Sequence, residues 1–377
     1  MSESYDVIVI GMGGMGSAAA AHLAARGQRV LGLEQFGRLH KLGSSHGHSR
    51  IIREAYLEAP EYVPLVQRAY RLWRDLEAET GLELLTITGG LTIGAPGSQF
   101  VEGALASARL HDLPYELLDG RQAHERFPGL ALGDELVAVH EPNAGYLRPE
   151  DCIDAHLIVA SRQGADLHFD EGAAVWQADG DGVVVRTGRG EYRSERLVIA
   201  PGPWAGQVLA DLNLPLEVER IVNIHAEPAQ PDLYTADRFP VYLLEVPEGE
   251  YYGFPALPGQ GVKFGRHEGG EITTPQAVRR EVEPAEAQAL LDVLGRYLPG
   301  AAGKVMLTLT CIYTNTPDAN FIIDLHPEHR NVAIACGFSG HGYKFASVVG
   351  EVLADLATES QSRHDIGFLS LARLGLG

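Results

Sequence analysis

One short segment constrains the fold more than any other feature of the chain. Residues 5–10, Tyr-Asp-Val-Ile-Val-Ile, form an apolar run rich in β-branched side chains, as a strand buried on both faces requires. The run passes directly into Gly11-Met12-Gly13-Gly14-Met15-Gly16, a G-x-G-x-x-G turn. The Ala-rich residues 17–26 predict a helix, with Gly27 at its C′ position. Residues 30–33 predict a second strand, ending at Glu34. Each part has a physical task. Gly11 permits the tight turn, Gly13 lets the backbone approach a pyrophosphate, and Gly16 lets helix and strand pack closely. Exposed N–H groups at the helix start, around Gly14 and Met15, favour negative charge. Glu34 suits the hydroxyls of an adenosine ribose, and an acid there argues against a 2′-phosphate. The motif alone does not choose between FAD and NAD.

Composition frames this unit. A chain of 377 residues suggests two or three domains at roughly 150 residues each, every one able to bury a core. The 30 Lys and Arg against 50 Asp and Glu leave a net charge of −20, a poor match for nucleic acid. No apolar run approaches the roughly 18–20 residues of a membrane span. The opening Met1-Ser2-Glu3-Ser4-Tyr5-Asp6 lacks the basic stretch of a signal peptide. Cys152, Cys311 and Cys336 are an odd number in a long chain, which argues against a disulfide framework and for the cytoplasm.

Residues 84–145 and 216–310 are rich in Gly, Pro and aromatic residues with alternating patterns, such as Tyr242-Leu243-Leu244, and predict β-rich insertions. The α/β character returns at 152–169 (helix, then strand), 196–200 and 331–337. The expected α/β architecture therefore has a Rossmann-like dinucleotide domain made of residues 1–83, 146–215 and 311–377. A sheet-rich substrate domain is expected from 84–145 and 216–310.

Two clusters carry chemistry. Residues 43–53, Gly-Ser-Ser-His-Gly-His-Ser-Arg-Ile-Ile-Arg, place two Arg and two His in a Gly/Ser-rich loop. The following helix shows its inner face through Tyr62, Val66, Ala69, Trp73 and Leu76, but the loop has no such periodicity. A solvated basic turn and an anion pocket both fit it. A metal site at His46 and His48 lacks a carboxylate or Cys at ligand spacing, so no metal is expected. Residues 337–345 form a second glycine-rich turn, leading into a helix predicted amphipathic through Val348, Val352 and Leu356.

Taken together, these motifs resemble the monomeric sarcosine oxidase and N-methyltryptophan oxidase family of FAD-dependent amine oxidases. The likeness rests on the fingerprint, the 43–53 loop, Tyr-Gly-Phe-Pro at 252–255, Lys-Phe-Gly-Arg-His at 263–267, Cys-Ile-Tyr at 311–313 and Gly-His-Gly-Tyr-Lys-Phe at 340–345. It spans essentially the whole chain. It implies a glutathione-reductase-like FAD domain beside a sheet-rich domain, as in D-amino acid oxidase-like enzymes. It also implies FAD attached covalently to Cys311. Arg53 and Lys344 match the residues that hold the substrate carboxylate, and Lys263 matches the lysine beside the flavin that serves electron transfer to O2. His46, Arg50 and His267 match positions lining flavin and amine, with Tyr252 and Tyr313 as aromatic walls. Ser44, Ser49, Gly340, Gly342 and Lys344 join the fingerprint residues as cofactor neighbours. The implied reaction takes an N-methyl amino acid, O2 and water to the amino acid, formaldehyde and hydrogen peroxide, in a monomeric protein. Other secondary amino acids, or an NAD-linked dehydrogenase, are the alternatives.

Several positions depart from the family. Ser45 stands where a second His is frequent, His48 where Asp is frequent, Ser49 for Thr and Tyr343 for Phe. The stretches 251–256 and 267–270 resemble the N-methyltryptophan branch, whereas 321–329 resemble the sarcosine branch. The balance favours a bulky N-methyl amino acid.

Overall fold

The computed structural model describes residues 4–376; residues 1–3, part of the acidic opening segment, and residue 377 lie outside the described residues. The first predicted strand forms as Ser4–Ile10. Its side chains alternate, Val7 and Val9 entering one apolar cluster and Ile8 and Ile10 another, so the run must be apolar at successive positions. It pairs in parallel with Val30–Leu33 on one side and Glu191–Ile199 on the other. Strand Glu191–Ile199 serves two partners along its far edge. Its first half pairs antiparallel with Gly182–Thr187, while Leu197, Val198 and Ile199 pair in parallel with Val332–Cys336. Asp166–His168, Ala173–Asp179 and Ile322–Leu325 complete the eight strands.

Helices Gly14–Ala25, Val63–Thr80, Pro149–Arg162 and Ala346–Glu359 pack together on the Val7/Val9 face. The inner face predicted for the second of these is buried, as are Cys152 and Cys336. One expectation changes. Helix Ala346–Glu359 is buried at every residue from Ala346 to Ala357, so it has no solvated face along that stretch. Its acids are neutralised from other elements: Asp355 by Arg26 (2.7 Å) and Arg363 (2.9 Å), Glu351 by Arg68 (2.6 Å). A polar face covered by distant arginines has the same sequence period as one in water.

The second sheet has nine strands with Glu217–Ala226 as its hub. That strand pairs antiparallel with Gly261–Arg266, Glu271–Thr273 and, along its whole length, Val305–Asn315. The register sets Cys311 opposite Ile221 and Lys263 opposite His225. Gly249–Leu257, Val241–Val246 and Gly90–Gly94 continue the sheet, the last two as a parallel pair. The stretches expected to be β-rich also contain helices Gln99–Leu110 and Pro284–Tyr297. A small third sheet places Gly145–Leu147 between Arg50–Ile52 and Leu85–Ile87, anchoring the end of the basic loop. Among the described residues, no helix is long and apolar enough to cross a membrane.

Candidate active site

The glycine turn is shaped first by the protein's own backbone. At Gly11, where φ is +87°, a Cβ would lie 2.5 Å from the Ala200 carbonyl oxygen; at Gly16 it would lie 1.7 Å from that of Gly11. No other residue fits either position. A Cβ at Gly13 would meet only Ser45 Oγ, at 3.7 Å, so that glycine faces an open cleft. Ser45 accepts the Gly14 N–H at 3.2 Å, giving this departure from the family a role in bracing the turn. Glu34 accepts the N–H groups of Met12 (2.9 Å) and Phe36 (3.1 Å).

The cleft above this turn encloses about 720 Å³. Gly11, Gly13, Gly14, Met15, Glu34, Ser44, Arg50, Cys311, Gly340 and Gly342 all line it. A second cavity of about 80 Å³ is lined by Ser49, Arg53, Tyr252, His267 and Lys344. Arg50, Cys311, Tyr313, Gly340 and Tyr343 line both, and so form the seam between them. Gly340 (φ +75°) is a glycine for a steric reason: a Cβ there would come within 2.3 Å of the Tyr313 ring.

The basic loop supplies the seam's charge through its carbonyl groups. Arg50 donates to the carbonyls of Ser44 (2.8 Å) and Ser49 (2.9 Å), with its guanidinium 3.5 Å from Cys311 Sγ. Lys263 reaches in from the second sheet and donates to the carbonyls of Gly47 (2.8 Å) and Ser49 (3.0 Å). It is 1% exposed and is therefore not a surface lysine. Ser44 Oγ donates to the Ile312 carbonyl at 2.6 Å, locking the loop onto the strand of Cys311.

The smaller cavity is organised around a carboxylate. Arg53 donates to both oxygens of Glu58, at 2.8 and 2.6 Å, and lies 4.5 Å from the centre of the Tyr56 ring. Lys344 donates to the His341 carbonyl at 2.6 Å and lies 4.9 Å from the same ring. His341 bonds through Nδ1 to the Tyr56 hydroxyl and donates from Nε2 to the Ala319 carbonyl at 2.9 Å. His267 lies between the rings of Tyr252 and Tyr313, at centroid distances of 6.5 and 5.8 Å.

All four titratable groups here are shifted downward, the acid by its cationic neighbours and the bases by burial and repulsion. Burial opposes the Glu58 carboxylate, but Arg53, His341 and Lys344 outweigh it and hold its pKa at about 2. Burial and Arg53 bring Lys344 down to about 7. Burial, with smaller effects of Lys344 and Arg53, brings His267 down to about 4. Burial, Arg50 and Lys263 bring His46 down to about 3, so that imidazole is neutral.

A bound dinucleotide fits this arrangement. The cleft pairs an open glycine turn with a helix start that has no side-chain cap from its N-cap residue, Gly13, and whose Gly14 N–H is taken by Ser45. Ser49 Oγ, on the wall of the smaller cavity, is buried without a partner in the protein, a state that a bound polar group relieves; both ring nitrogens of His46 are also unpartnered, although His46 lines neither cavity. Among the described residues, no three His, Cys, Asp or Glu side chains are grouped to hold a metal ion.

Three acidic groups escaped the sequence reading. Glu58 lies five residues past Arg53, so proximity alone was its signal. Glu150, in the first turn of helix Pro149–Arg162, accepts the N–H groups of Gly47 (2.7 Å) and His48 (3.2 Å). Glu141 accepts the N–H of Ala55 at 3.0 Å, and its pKa is raised by burial to about 7. The departures also find places. Tyr343 donates its hydroxyl to the Pro149 carbonyl at 2.6 Å, and the His48 ring stands edge-on to His225 with centroids 5.9 Å apart.

Comparison with known proteins agrees with this geometry. The family model described as FAD dependent oxidoreductase matches residues 6–356. A monomeric sarcosine oxidase from Streptomyces avermitilis is 47% identical over 99% of both chains. An N-methyl-L-tryptophan oxidase from Yersinia pestis is 36% identical over 98% of this chain and 99% of its own. Among solved structures, the amino acid oxidase NikD aligns over 98% of both chains with a TM-score of 0.87 and 26% identity. The choice between FAD and NAD that the glycine motif left open is thereby made. The chain belongs to the FAD dependent oxidoreductase family, in the group of the monomeric sarcosine oxidases and N-methyl-L-tryptophan oxidases.

Proposed function

We propose that this protein oxidatively demethylates small N-methyl amino acids of the size of sarcosine, with FAD in the larger cleft attached covalently through Cys311. One observation carries the reading: Cys311 and Arg50 line both a dinucleotide-sized cleft and a small cavity bearing Arg53 and Lys344. When bound, FAD accepts two electrons from the N-methyl C–H and passes them to O2, so water and O2 convert the substrate to amino acid, formaldehyde and hydrogen peroxide. Arg53 and Lys344 hold the carboxylate, which orients the amine. Neutral His267 accepts a hydrogen bond from the amine between the faces of Tyr252 and Tyr313. Arg50 and Lys263 set positive charge at the seam, where negative charge develops.

The motifs around Tyr252 favour a bulky side chain, but a cavity of about 80 Å³ favours a compact substrate. Sarcosine oxidases matching at 39–47% identity, against 36% for the N-methyltryptophan oxidases, support the same choice. On this reading residues 1–83, 146–215 and 311–377 form the cofactor domain, which also lends Arg53, Tyr313 and Lys344 to the substrate, and 84–145 and 216–310 form the substrate domain. We take the protein as a cytoplasmic monomer, a setting that suits three buried cysteines without a disulfide.

Anaerobic mixing with sarcosine should bleach the flavin faster than mixing with N-methyl-L-tryptophan, and aerobic turnover should release peroxide and formaldehyde. Failure of both substrates to bleach it refutes the reaction. Acid precipitation should leave a yellow pellet, and Cys311→Ser a colourless one; a yellow pellet from the variant refutes the attachment site.

A further inference from the structure

Lys263 is buried beside one permanent cation and two neutral imidazoles. Arg50 is its neighbour on the loop, His225 faces it across the sheet, His46 lies close by, and the Phe254 ring centre is 4.9 Å from Nζ. Burial and Arg50 push its ammonium well below the ordinary range, and Cys311 and Glu150 act in the other direction. No carboxylate among the described residues lies within the 4.0 Å of a direct salt bridge. Its counter-charge reaches it through the main chain. Lys263 donates to the Gly47 carbonyl at 2.8 Å, and that carbonyl shares one peptide unit with the His48 N–H. This N–H points at the Glu150 carboxylate, 3.3 and 3.2 Å from its two oxygens, and the preceding Gly47 N–H donates to it at 2.7 Å. A single amide is thus clamped between carboxylate and ammonium, with its dipole favourable to both.

The loop has reason to need such a clamp. Gly47 (φ +101°) and His48 (φ +69°) both lie in the left-handed region, which a histidine seldom adopts. Glu150 is itself anchored, because its helix begins at Pro149, whose carbonyl accepts the Tyr343 hydroxyl.

We infer that Glu150 is a positioning residue for Lys263, fixing the direction of the ammonium and supplying its counter-charge through the Gly47–His48 peptide. The kinetic consequence rests on the reading that Lys263 serves the oxygen step; the charge coupling does not. The chain has only four lysines, Lys41, Lys263, Lys304 and Lys344, which makes a direct measurement practical. Holoenzyme labelled with 13C at the lysine ε-carbon should give four NMR signals, and the one lost in Lys263→Met is assigned to Lys263.

In Glu150→Gln the titration midpoint of that signal should fall by about one pH unit or more, a tenfold change in protonation. Reoxidation by O2 should slow about tenfold, while anaerobic reduction by sarcosine changes less than about threefold. Glu150→Asp, which keeps the charge but withdraws it by one methylene, should show both effects at a smaller but measurable size. An unshifted midpoint in folded Glu150→Gln overturns the inference. If that variant does not fold, Glu150→Asp decides instead, because its shorter reach must still move the midpoint measurably. If Lys263→Met reoxidises at the native rate, the oxygen role fails, yet the midpoint still decides the coupling.

Discussion

Two pairs of buried cations flank the seam, and they are compensated differently. Arg50 and Lys263 rest on the main-chain carbonyls of Ser44, Gly47 and Ser49, whereas Arg53 and Lys344 share their space with the Glu58 carboxylate. Carbonyl dipoles orient a cation without cancelling it; a carboxylate at 2.6 Å cancels one charge outright. The first pair, on which Glu150 acts only through the Gly47–His48 peptide, therefore keeps more of its field for charge that appears during reaction. The second keeps about one net positive charge for a substrate that arrives already anionic. A permanently strong field there would hold the carboxylate of the product as tightly as that of the substrate, adding only uniform binding.

Breaking the first pair should have the largest effect. Lys263→Met is expected to slow reoxidation by O2 by about 10²–10³, with a much smaller effect on anaerobic reduction. Stopped-flow traces of the two half-reactions measure this, and equal slowing of both would remove the distinction between the pairs. Next comes Arg53→Met, which also leaves Glu58 without its partner. Its kcat/KM for sarcosine should fall by about 30–100-fold, on the order of 2–3 kcal/mol, at similar O2 reactivity of the reduced enzyme.

The pH dependence sharpens the comparison further. Lys344, with its pKa brought down to about 7, is charged below that pH and neutral above it. A carboxylic acid that mimics sarcosine without its amine, such as methoxyacetate, should bind with a pH-independent Kd below about 7. Above it, binding must take up a proton, so Kd should rise by about tenfold per pH unit, and Lys344→Met should flatten the profile. The same shift has a stability counterpart. Between about 7 and 10.5 the unfolded chain holds a proton the folded amine has lost, so this site's contribution to stability rises with pH. The smallest effect is expected from Glu58→Gln. Freed of its carboxylate, Arg53 should bind methoxyacetate about three- to tenfold more tightly at neutral pH, and weaker binding would show that Glu58 instead preorganises the arginine.

How much of this was legible in the residues alone differs between the same regions. The strand, glycine turn and helix from Ser4 to Ala25 could be read directly, because each rule involved acts over a few residues: β-branched runs, φ at Gly11, helix ends. The helix Val63–Thr80 was equally plain from its period, and so was the apolar face of Ala346–Glu359 through Val348, Val352 and Leu356; that its acids are also buried was not, because Arg26 and Arg68 come from the other end of the chain. The motifs also picked out Cys311, Arg50, Arg53, Lys263 and Lys344 as chemistry, but not what surrounds them.

By itself, the order of residues determined that this chain forms a dinucleotide fold and which cationic side chains stand out in an acidic protein. Tertiary structure alone decided how each cation is compensated. Glu150 meets Gly47 across 103 positions, Lys263 meets it across 216, and the small volume near Lys344 arises where two sheets and a loop converge. The physical reason is that periodicity is local, whereas charge compensation and cavity size are set by groups that become neighbours only once the chain has folded.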